Sequence, residues 1–86
     1  MYRLLLSKNS ARFLDGIFNS DKKIFTRLTA ALDDIRENPF SGKLLSGNLK
    51  GYRSYRVGDY RIIYEIENDR LLVYIEKIAH RKESYQ

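Results

Sequence analysis

The single proline of this sequence, Pro39, divides it into two parts with different hydrophobic periods. Before Pro39, apolar residues recur every three or four positions, which is the spacing of one face of an α-helix. After it, short runs alternate between apolar and polar residues and are separated by glycines, which indicates strands joined by turns. Because the helices come first and the strands come last, the pattern predicts an α+β fold.

The part before Pro39 predicts one strand and two helices. Residues 2–6 are typical of a short strand that ends in three leucines. Asn38 ends the second helix, since a residue that precedes proline avoids the helical conformation. The two helices are expected to form an antiparallel hairpin. Four side chains can accept hydrogen bonds from the free N–H groups of a first helical turn, namely Ser7 or Asn9 for the first helix and Ser20 or Asp21 for the second.

The part after Pro39 predicts a three-stranded antiparallel meander over residues 52–57, 60–66 and 71–78, with a further short strand at 44–45. The order is therefore β-α-α-β-β-β, in one domain that spans residues 1–86, with the helices packed on one face of an antiparallel sheet. The other face is expected to stay open to a ligand.

The dipeptide Gly58-Asp59 defines the register of the first hairpin, because glycine at the first position of a two-residue loop favours a type II′ turn. Val57 then lies opposite Tyr60, and Arg56 lies opposite Arg61. Side chains alternate between the two faces of a strand, so one face of the hairpin is apolar and aromatic. The other face carries Tyr52, Ser54, Arg56, Arg61, Ile63 and Glu65.

The opposed pair Arg56 and Arg61 is the most informative feature of that open face. Like charges on directly opposite strand positions are destabilising, and a bound anion turns the repulsion into attraction. Guanidinium groups stay charged and present a planar donor fork that suits phosphate. The alternative is that Glu65 or another acid neutralises the arginines on a solvated face.

The residues after the third strand extend this interpretation. Arg81 is expected to approach the open face, His80 is the only histidine and lies at a strand end, and Tyr85 follows four residues after Arg81. The chain lacks the carboxylate cluster of a two-metal nuclease. Arginine, histidine and tyrosine can still promote RNA cleavage without a metal, because the 2′-OH of the RNA is the nucleophile and arginines stabilise the developing phosphate charge.

Composition sets the outer limits of these hypotheses. The chain has 86 residues, a formal charge of +5, one histidine and no cysteine. Disulfides and thiolate zinc sites are thereby excluded, and no cofactor or metal is expected. No apolar run is long enough for a membrane span or a signal peptide, so a cytoplasmic location is predicted. The basic charge suggests a polyanionic partner such as nucleic acid or the ribosome, or else merely aids solubility.

The sequence resembles RelE toxins of the RelE/ParE superfamily over nearly its whole length. The resemblance is carried by residues 55–64, YRVGDYRIIY, and by residues 78–85, IAHRKESY, together with Glu37-Asn38-Pro39 and Leu49-Lys50-Gly51. It implies a toxin of a type II toxin–antitoxin pair that enters the ribosomal 30S A site and cleaves the exposed mRNA codon. The implied reaction is a metal-independent attack of the 2′-OH that leaves a 2′,3′-cyclic phosphate.

The resemblance also implies roles for individual residues. Arg61 and Arg81 match arginines that bind the scissile phosphate, Tyr85 matches a tyrosine assigned to base stacking or proton transfer, and His80 matches a proton-transferring histidine of some relatives. Five residues are predicted to bind RNA or phosphate around them: Lys50, Arg53, Ser54, Arg56 and Lys82.

Other implications of the resemblance leave alternatives open. Ser54 stands where a relative has a lysine, so Lys50, His80 and Tyr85 are all candidates for the general base. A cognate antitoxin is expected to wrap an amphipathic helix around the toxin. The alternative functions are a ParE-like inhibitor of DNA gyrase, which does no RNA chemistry, and a non-toxic binding module.

Overall fold

The computed structural model describes residues 1–82 of the chain. Two helices lie between an N-terminal strand and a C-terminal group of strands, as predicted. The elements are β1 (Arg3–Leu6), α1 (Lys8–Ser20), α2 (Lys22–Glu37), β2 (Lys43–Leu44), β3 (Arg53–Val57), β4 (Tyr60–Glu67) and β5 (Leu72–His80), with short 3-10 turns at Pro39–Ser41, Gly47–Leu49 and Asn68–Arg70.

The five strands form one mixed sheet in the order β1-β5-β4-β3-β2. The meander β3-β4-β5 is antiparallel, as predicted, and β2 pairs antiparallel with β3. The expectation of a wholly antiparallel sheet is wrong, because β1 pairs parallel with β5. Both helices and strands β2, β3 and β4 lie between β1 and β5 in the chain, so no tight hairpin forces these two strands to run in opposite directions.

Side-chain caps and the proline determine where the helices begin and end. The Ser7 hydroxyl caps α1 by accepting a hydrogen bond from the Ser10 N–H over 3.1 Å. The Asp21 carboxylate caps α2 in the same way, accepting from the Ile24 N–H over 3.1 Å. Each cap satisfies an N–H group that the first helical turn leaves without a partner. The second helix ends before Pro39, as the sequence predicts.

The hydrophobic core lies between the two helices and one face of the sheet. Tyr64 is completely buried there, and its hydroxyl donates to the Pro39 carbonyl over 2.6 Å and accepts from the Gly42 N–H over 3.1 Å. A side chain at position 42 would collide with that hydroxyl. Other buried core residues are Leu28, Ala31, Leu32, Ile35, Val57, Ile62, Val73, Ile75 and Ile78.

The meander extends beyond both edge strands at one end of the sheet. On one side β1 pairs only with Leu72–Ile75, and on the other β2 pairs only with Arg53 and Ser54. The projecting part contains the Gly58-Asp59 turn and the end of β5, and we call it the hairpin end. Neither helix within residues 1–82 is long and apolar enough to span a membrane.

Candidate functional site

The register of the β3–β4 hairpin is the one predicted from the sequence. Val57 pairs with Tyr60, and Arg56 pairs with Arg61. Gly58 has a φ of 58°. Within residues 1–82, Leu71 is the only residue other than glycine with a positive φ, so the φ of Asp59 is negative. This is the φ pattern of a type II′ turn. The arginines therefore project from paired positions onto the same face.

The sheet face that points away from the helices, which we call the outer face, is organised in three rows of side chains that run across the strands. The arginine row contains Arg56 and Arg61, with Ala79 beside them on β5. The serine row contains Lys43, Ser54, Ile63 and Lys77. The tyrosine row contains Glu65 and its partner Tyr74, and the β3–β4 register continued by one position brings in Tyr52.

Arg81 joins the arginine row at the hairpin end. Its backbone N–H donates to the Asp59 carbonyl over 2.7 Å, and its Nε lies 3.9 Å from Asp59 Oδ1. Three guanidinium groups, from Arg56, Arg61 and Arg81, thus belong to one end of the sheet. Guanidinium clusters of this kind bind phosphate, because each group offers several N–H donors in a fixed plane.

Glu65 does not neutralise the arginine row. It lies four residues from Arg61 along β4, which corresponds to about 13 Å between their backbones. Within residues 1–82, it forms no ion pair with an arginine. Glu65 is therefore not the acid of the neutralised-face alternative, and the anion site at the Arg56–Arg61 pair stays a prediction.

Ser54 lies directly between the arginine row and the tyrosine row. Its side chain is 6% exposed, and its Oγ makes no hydrogen bond with any residue of the described part of the chain. Buried polar side chains normally have a partner, so an orphaned hydroxyl needs a specific explanation.

The tyrosine row combines aromatic rings with carboxylates. The Glu65 carboxylate raises the pKa of the Tyr52 phenol above its ordinary value, and burial and the nearby Glu76 and Tyr74 raise it further. The pKa rises because a nearby negative charge disfavours the phenolate.

His80 lies on the helix-facing side of the sheet, apart from the arginine row. Its partner across the strands is Tyr60, and the two rings meet edge to face with centroids 5.5 Å apart. Its Nδ1 accepts a hydrogen bond from the Lys82 N–H over 3.4 Å. The expected grouping of His80 with the arginines is thus not what the structure shows, because β5 continues to His80 and strand alternation turns this side chain away.

Arg53 is also separate from the outer face. Its Nη1 donates to the carbonyls of Gly42 and Phe40 over 2.9 and 3.3 Å, and its guanidinium lies 5.2 Å from the centre of the Phe40 ring. The side chain therefore holds the segment after α2 against the sheet, on the side opposite to Ser54. Arg53 thus lies apart from the other residues predicted to bind RNA or phosphate, and its predicted role stays a prediction.

The other predicted residues lie near the ends of the described chain or in turns. Lys50 is exposed and follows the Gly47–Leu49 turn. Lys82 is exposed just beyond β5. Tyr85 lies outside the described residues. No group of three or more histidine, aspartate or glutamate side chains within residues 1–82 is arranged to hold a metal ion.

Sequence reasoning missed Lys77 and Tyr74 on the outer face. Ile63 pairs with Lys77, whereas the next residue, Tyr64, pairs with Ile75. Glu76 is therefore an extra residue in β5, a β-bulge that shifts the alternation of faces along the strand. The alternation of residues 71–78 alone could not reveal on which side of the bulge each side chain falls.

The fold and the arginine row together define a small α+β protein with a row of arginines on the sheet face that points away from the helices. Comparison with known proteins makes the class specific. A family model described as the ParE toxin of type II toxin–antitoxin systems matches residues 4–85. The chain belongs to this toxin family.

Curated relatives and a solved structure agree with this assignment. The chain is 36% identical to the toxin YoeB of Streptomyces coelicolor over 59 residues, which cover 63% of this chain and 70% of that protein. It is 44% identical over 45 residues to the toxin RelE of Mycobacterium tuberculosis, covering 52% of this chain and 46% of that one. In the toxin–antitoxin complex RelBE2 from Mycobacterium tuberculosis, one chain superimposes with a TM-score of 0.80 at 28% identity, covering 93% of this chain and 98% of that chain.

Proposed function

We propose that this toxin is a ribosome-dependent endoribonuclease that cleaves mRNA in the ribosomal A site and thereby inhibits translation. The observation that carries the proposal is the arginine row, in which Arg56 and Arg61 occupy paired positions and Arg81 is fastened beside them. Three guanidinium groups at one end of a sheet suit a phosphodiester, and the curated relatives are toxins named YoeB and RelE.

The proposed reaction needs only groups of the RNA and of the protein. The 2′-oxygen attacks the adjacent phosphorus, a bond forms between them, and the bond from phosphorus to the 5′-oxygen of the next nucleotide breaks. The proton of the 2′-OH passes to a general base, and the leaving 5′-oxygen receives a proton. The products are a 2′,3′-cyclic phosphate and a free 5′-OH. Arg61 and Arg81 stabilise the extra negative charge on the phosphorane, which is the largest contribution that fixed donors can make.

Three residues are candidates for proton transfer: Lys50, His80 and Tyr85. The contact of His80 with Tyr60 on the helix-facing side favours a role in positioning the end of β5. Single substitutions of the three residues in the cleavage assay below will rank them.

The same proposal includes two macromolecular partners in the cytoplasm. The first is the ribosome with its mRNA, which presents the substrate. The second is a cognate antitoxin, since the structurally similar RelBE2 toxin was solved as a toxin–antitoxin complex. The antitoxin is expected to wrap an amphipathic helix around the toxin and to block the arginine row.

A second candidate function is inhibition of DNA gyrase. It is favoured by the description of the matching family model, which names ParE. The two functions make different demands on the outer face, because a gyrase inhibitor has no need of a phosphate-binding arginine cluster at the hairpin end.

The experiment that tests the proposal maps new mRNA 5′ ends in a reconstituted translation system that contains the purified toxin. Cleavage within A-site codons, with a cyclic phosphate on the upstream fragment, is the expected result. If the mRNA stays intact and the toxin instead blocks supercoiling by purified gyrase, the second function is correct.

Variants connect the activity to the arginine row. Arg61→Ala and Arg81→Ala are expected to reduce cleavage at least a hundredfold, in keeping with the loss of one transition-state donor, which costs about 10²–10³ in rate. Arg70→Ala is the matched control, because Arg70 is exposed, pairs with Glu67 over 3.3 Å and lies at the other end of the sheet. Full cleavage by either row variant would show that the phosphate site lies elsewhere.

A further inference from the structure

The tyrosine row is a set of polar side chains on the outer face that the reaction at the arginine row does not use. Glu65 and Tyr74 are paired across β4 and β5, and Tyr52 continues the row on the β3 side. All three side chains are half-buried. Within the part of the chain that the structure describes, none of them makes a side-chain hydrogen bond or an ion pair.

The β3–β4 register continued by one position places Glu65 opposite Tyr52, and the Glu65 carboxylate raises the pKa of the Tyr52 phenol. The row thus offers a carboxylate acceptor and a hydroxyl donor next to two aromatic surfaces. Negative charge from Glu65 and Glu76 repels a phosphate at this place. Aromatic rings beside an acceptor instead suit a nucleobase, which stacks on the ring and donates from its Watson–Crick edge.

Ser54 connects the two rows. It lies one row from Arg61 and one row from Glu65, and its buried hydroxyl has no partner within residues 1–82. A ligand that contacts both rows crosses the serine row and offers phosphate at one end and an aromatic group at the other. A single RNA strand has this form, since phosphate, ribose and base offer different chemistry along its length.

Guanine fits the carboxylate of the tyrosine row better than the other bases do. Its Watson–Crick edge presents two adjacent donors, N1–H and N2–H, and a carboxylate accepts both at once. Adenine and cytosine each present one amino donor beside an acceptor nitrogen, and uracil presents one N–H between two carbonyls. In those three bases an acceptor would face the Glu65 carboxylate.

We propose that Tyr52, Glu65 and Tyr74 form a base-recognition subsite, which stacks the base of a nucleotide near the scissile phosphate and favours guanine there. The subsite rests on the proposed ribonuclease function, because it uses the same strand of RNA. It adds a sequence preference to that function: the arginine row selects a phosphate regardless of sequence, and the tyrosine row selects the base.

The test is cleavage of an mRNA library with randomised codons in the reconstituted translation system, with each cut site sequenced. For the wild-type chain, guanine should be enriched at one fixed position relative to the cut. Glu65→Gln should reduce that enrichment roughly tenfold, since a bidentate contact to a base provides discrimination of that order.

Two further variants separate recognition from charge and from stacking. Glu67 lies on β4 one row beyond Glu65 and pairs with Arg70, outside the tyrosine row. Glu67→Gln removes the same charge there, so the guanine enrichment should be unaffected. Tyr52→Ala should lower cleavage several-fold at all codons, because stacking tolerates every base, and Tyr52→Phe should restore most of the loss.

The possible outcomes distinguish this inference from the function on which it depends. If the wild-type chain cleaves no mRNA, both the ribonuclease function and the subsite are wrong. If it cleaves but shows no guanine enrichment, only the subsite is wrong. The same conclusion follows if Glu65→Gln and Glu67→Gln give the same guanine enrichment at their cut sites. A loss of antitoxin binding by Glu65→Gln with an unchanged cut profile would assign the tyrosine row to the protein partner instead.

Discussion

The backbone N–H of Arg81 donates to the carbonyl of Asp59 over 2.7 Å, so the end of β5 is fastened to the turn between β3 and β4. This hydrogen bond places Arg81, just beyond the last described strand, next to a turn residue that lies 22 positions earlier in the chain. The arginine row therefore depends on backbone geometry at the hairpin end and not only on the choice of side chains.

The paired arginines are expected to destabilise the free protein. In a double-mutant cycle of Arg56→Gln and Arg61→Gln, the coupling free energy of unfolding should be repulsive, at about 0.2–1 kcal/mol for a directly opposed pair. Urea denaturation measures it. The coupling should shrink in 1 M salt, where charges are screened over about 3 Å. An attractive coupling would show that a neighbouring group already neutralises the pair.

Asp59 is expected to orient Arg81 and to contribute little to stability. The Arg81 and Asp59 side chains are 51% and 68% exposed and 3.9 Å apart, and exposed ion pairs contribute about 0–1 kcal/mol. Asp59→Asn should therefore leave the melting temperature nearly unchanged and reduce mRNA cleavage less than Arg81→Ala does. Asp69→Asn, in the exposed turn after β4, is the control. Equal losses for Asp59→Asn and Arg81→Ala would mean that the carboxylate itself takes part in the reaction.

The buried hydroxyl of Tyr64 is expected to stabilise the fold through two hydrogen bonds. Tyr64→Phe leaves the Pro39 carbonyl and the Gly42 N–H without their partner, and an unsatisfied buried group costs about 1–3 kcal/mol. Chemical denaturation of the variant beside wild type measures the loss. Tyr74→Phe is the control, because the Tyr74 hydroxyl has no hydrogen-bond partner within residues 1–82.

Tyr64 also predicts how stability depends on alkaline pH. Burial raises the pKa of its phenol above the ordinary value of 10.0. The stabilisation by the neutral phenol is complete below that value, because tyrosine is protonated in both the folded and the unfolded chain. It is lost as pH rises from the unfolded pKa towards the raised folded pKa, since only the unfolded state releases its proton there. Wild type should therefore lose more stability than Tyr64→Phe between pH 9 and pH 11, at about the ordinary tyrosine pKa and just beyond.

The parts of the fold with local causes could be predicted from the sequence. The register of Arg56 and Arg61 follows from a two-residue turn, and α2 ends where Asn38 precedes Pro39. In both cases a few adjacent residues determine the geometry. The parallel pairing of β1 with β5 joins residues that are about seventy positions apart, and local sequence has no signal for it.

The same distinction explains the errors at the candidate site. The length of β5 and its bulge at Glu76 determine which side chains reach the outer face. They place His80 on the helix-facing side and Lys77 on the outer face. Arg53 binds the Gly42 and Phe40 carbonyls of a segment without periodicity. The structure shows where the side chains of residues 1–82 lie, and the predicted roles of all the site residues stay predictions.

The parallel pairing of β1 and β5 has a consequence for synthesis of the toxin. Leu4 and Leu6 at the start of the chain need Val73 and Ile75 as strand partners, so β1 cannot join the sheet until nearly the whole chain has left the ribosome. Contacts between residues so distant in sequence form late and slowly. β5 also leads into Arg81, whose backbone N–H donates to the Asp59 carbonyl, so the arginine row too is completed only after the last described strand has been synthesised.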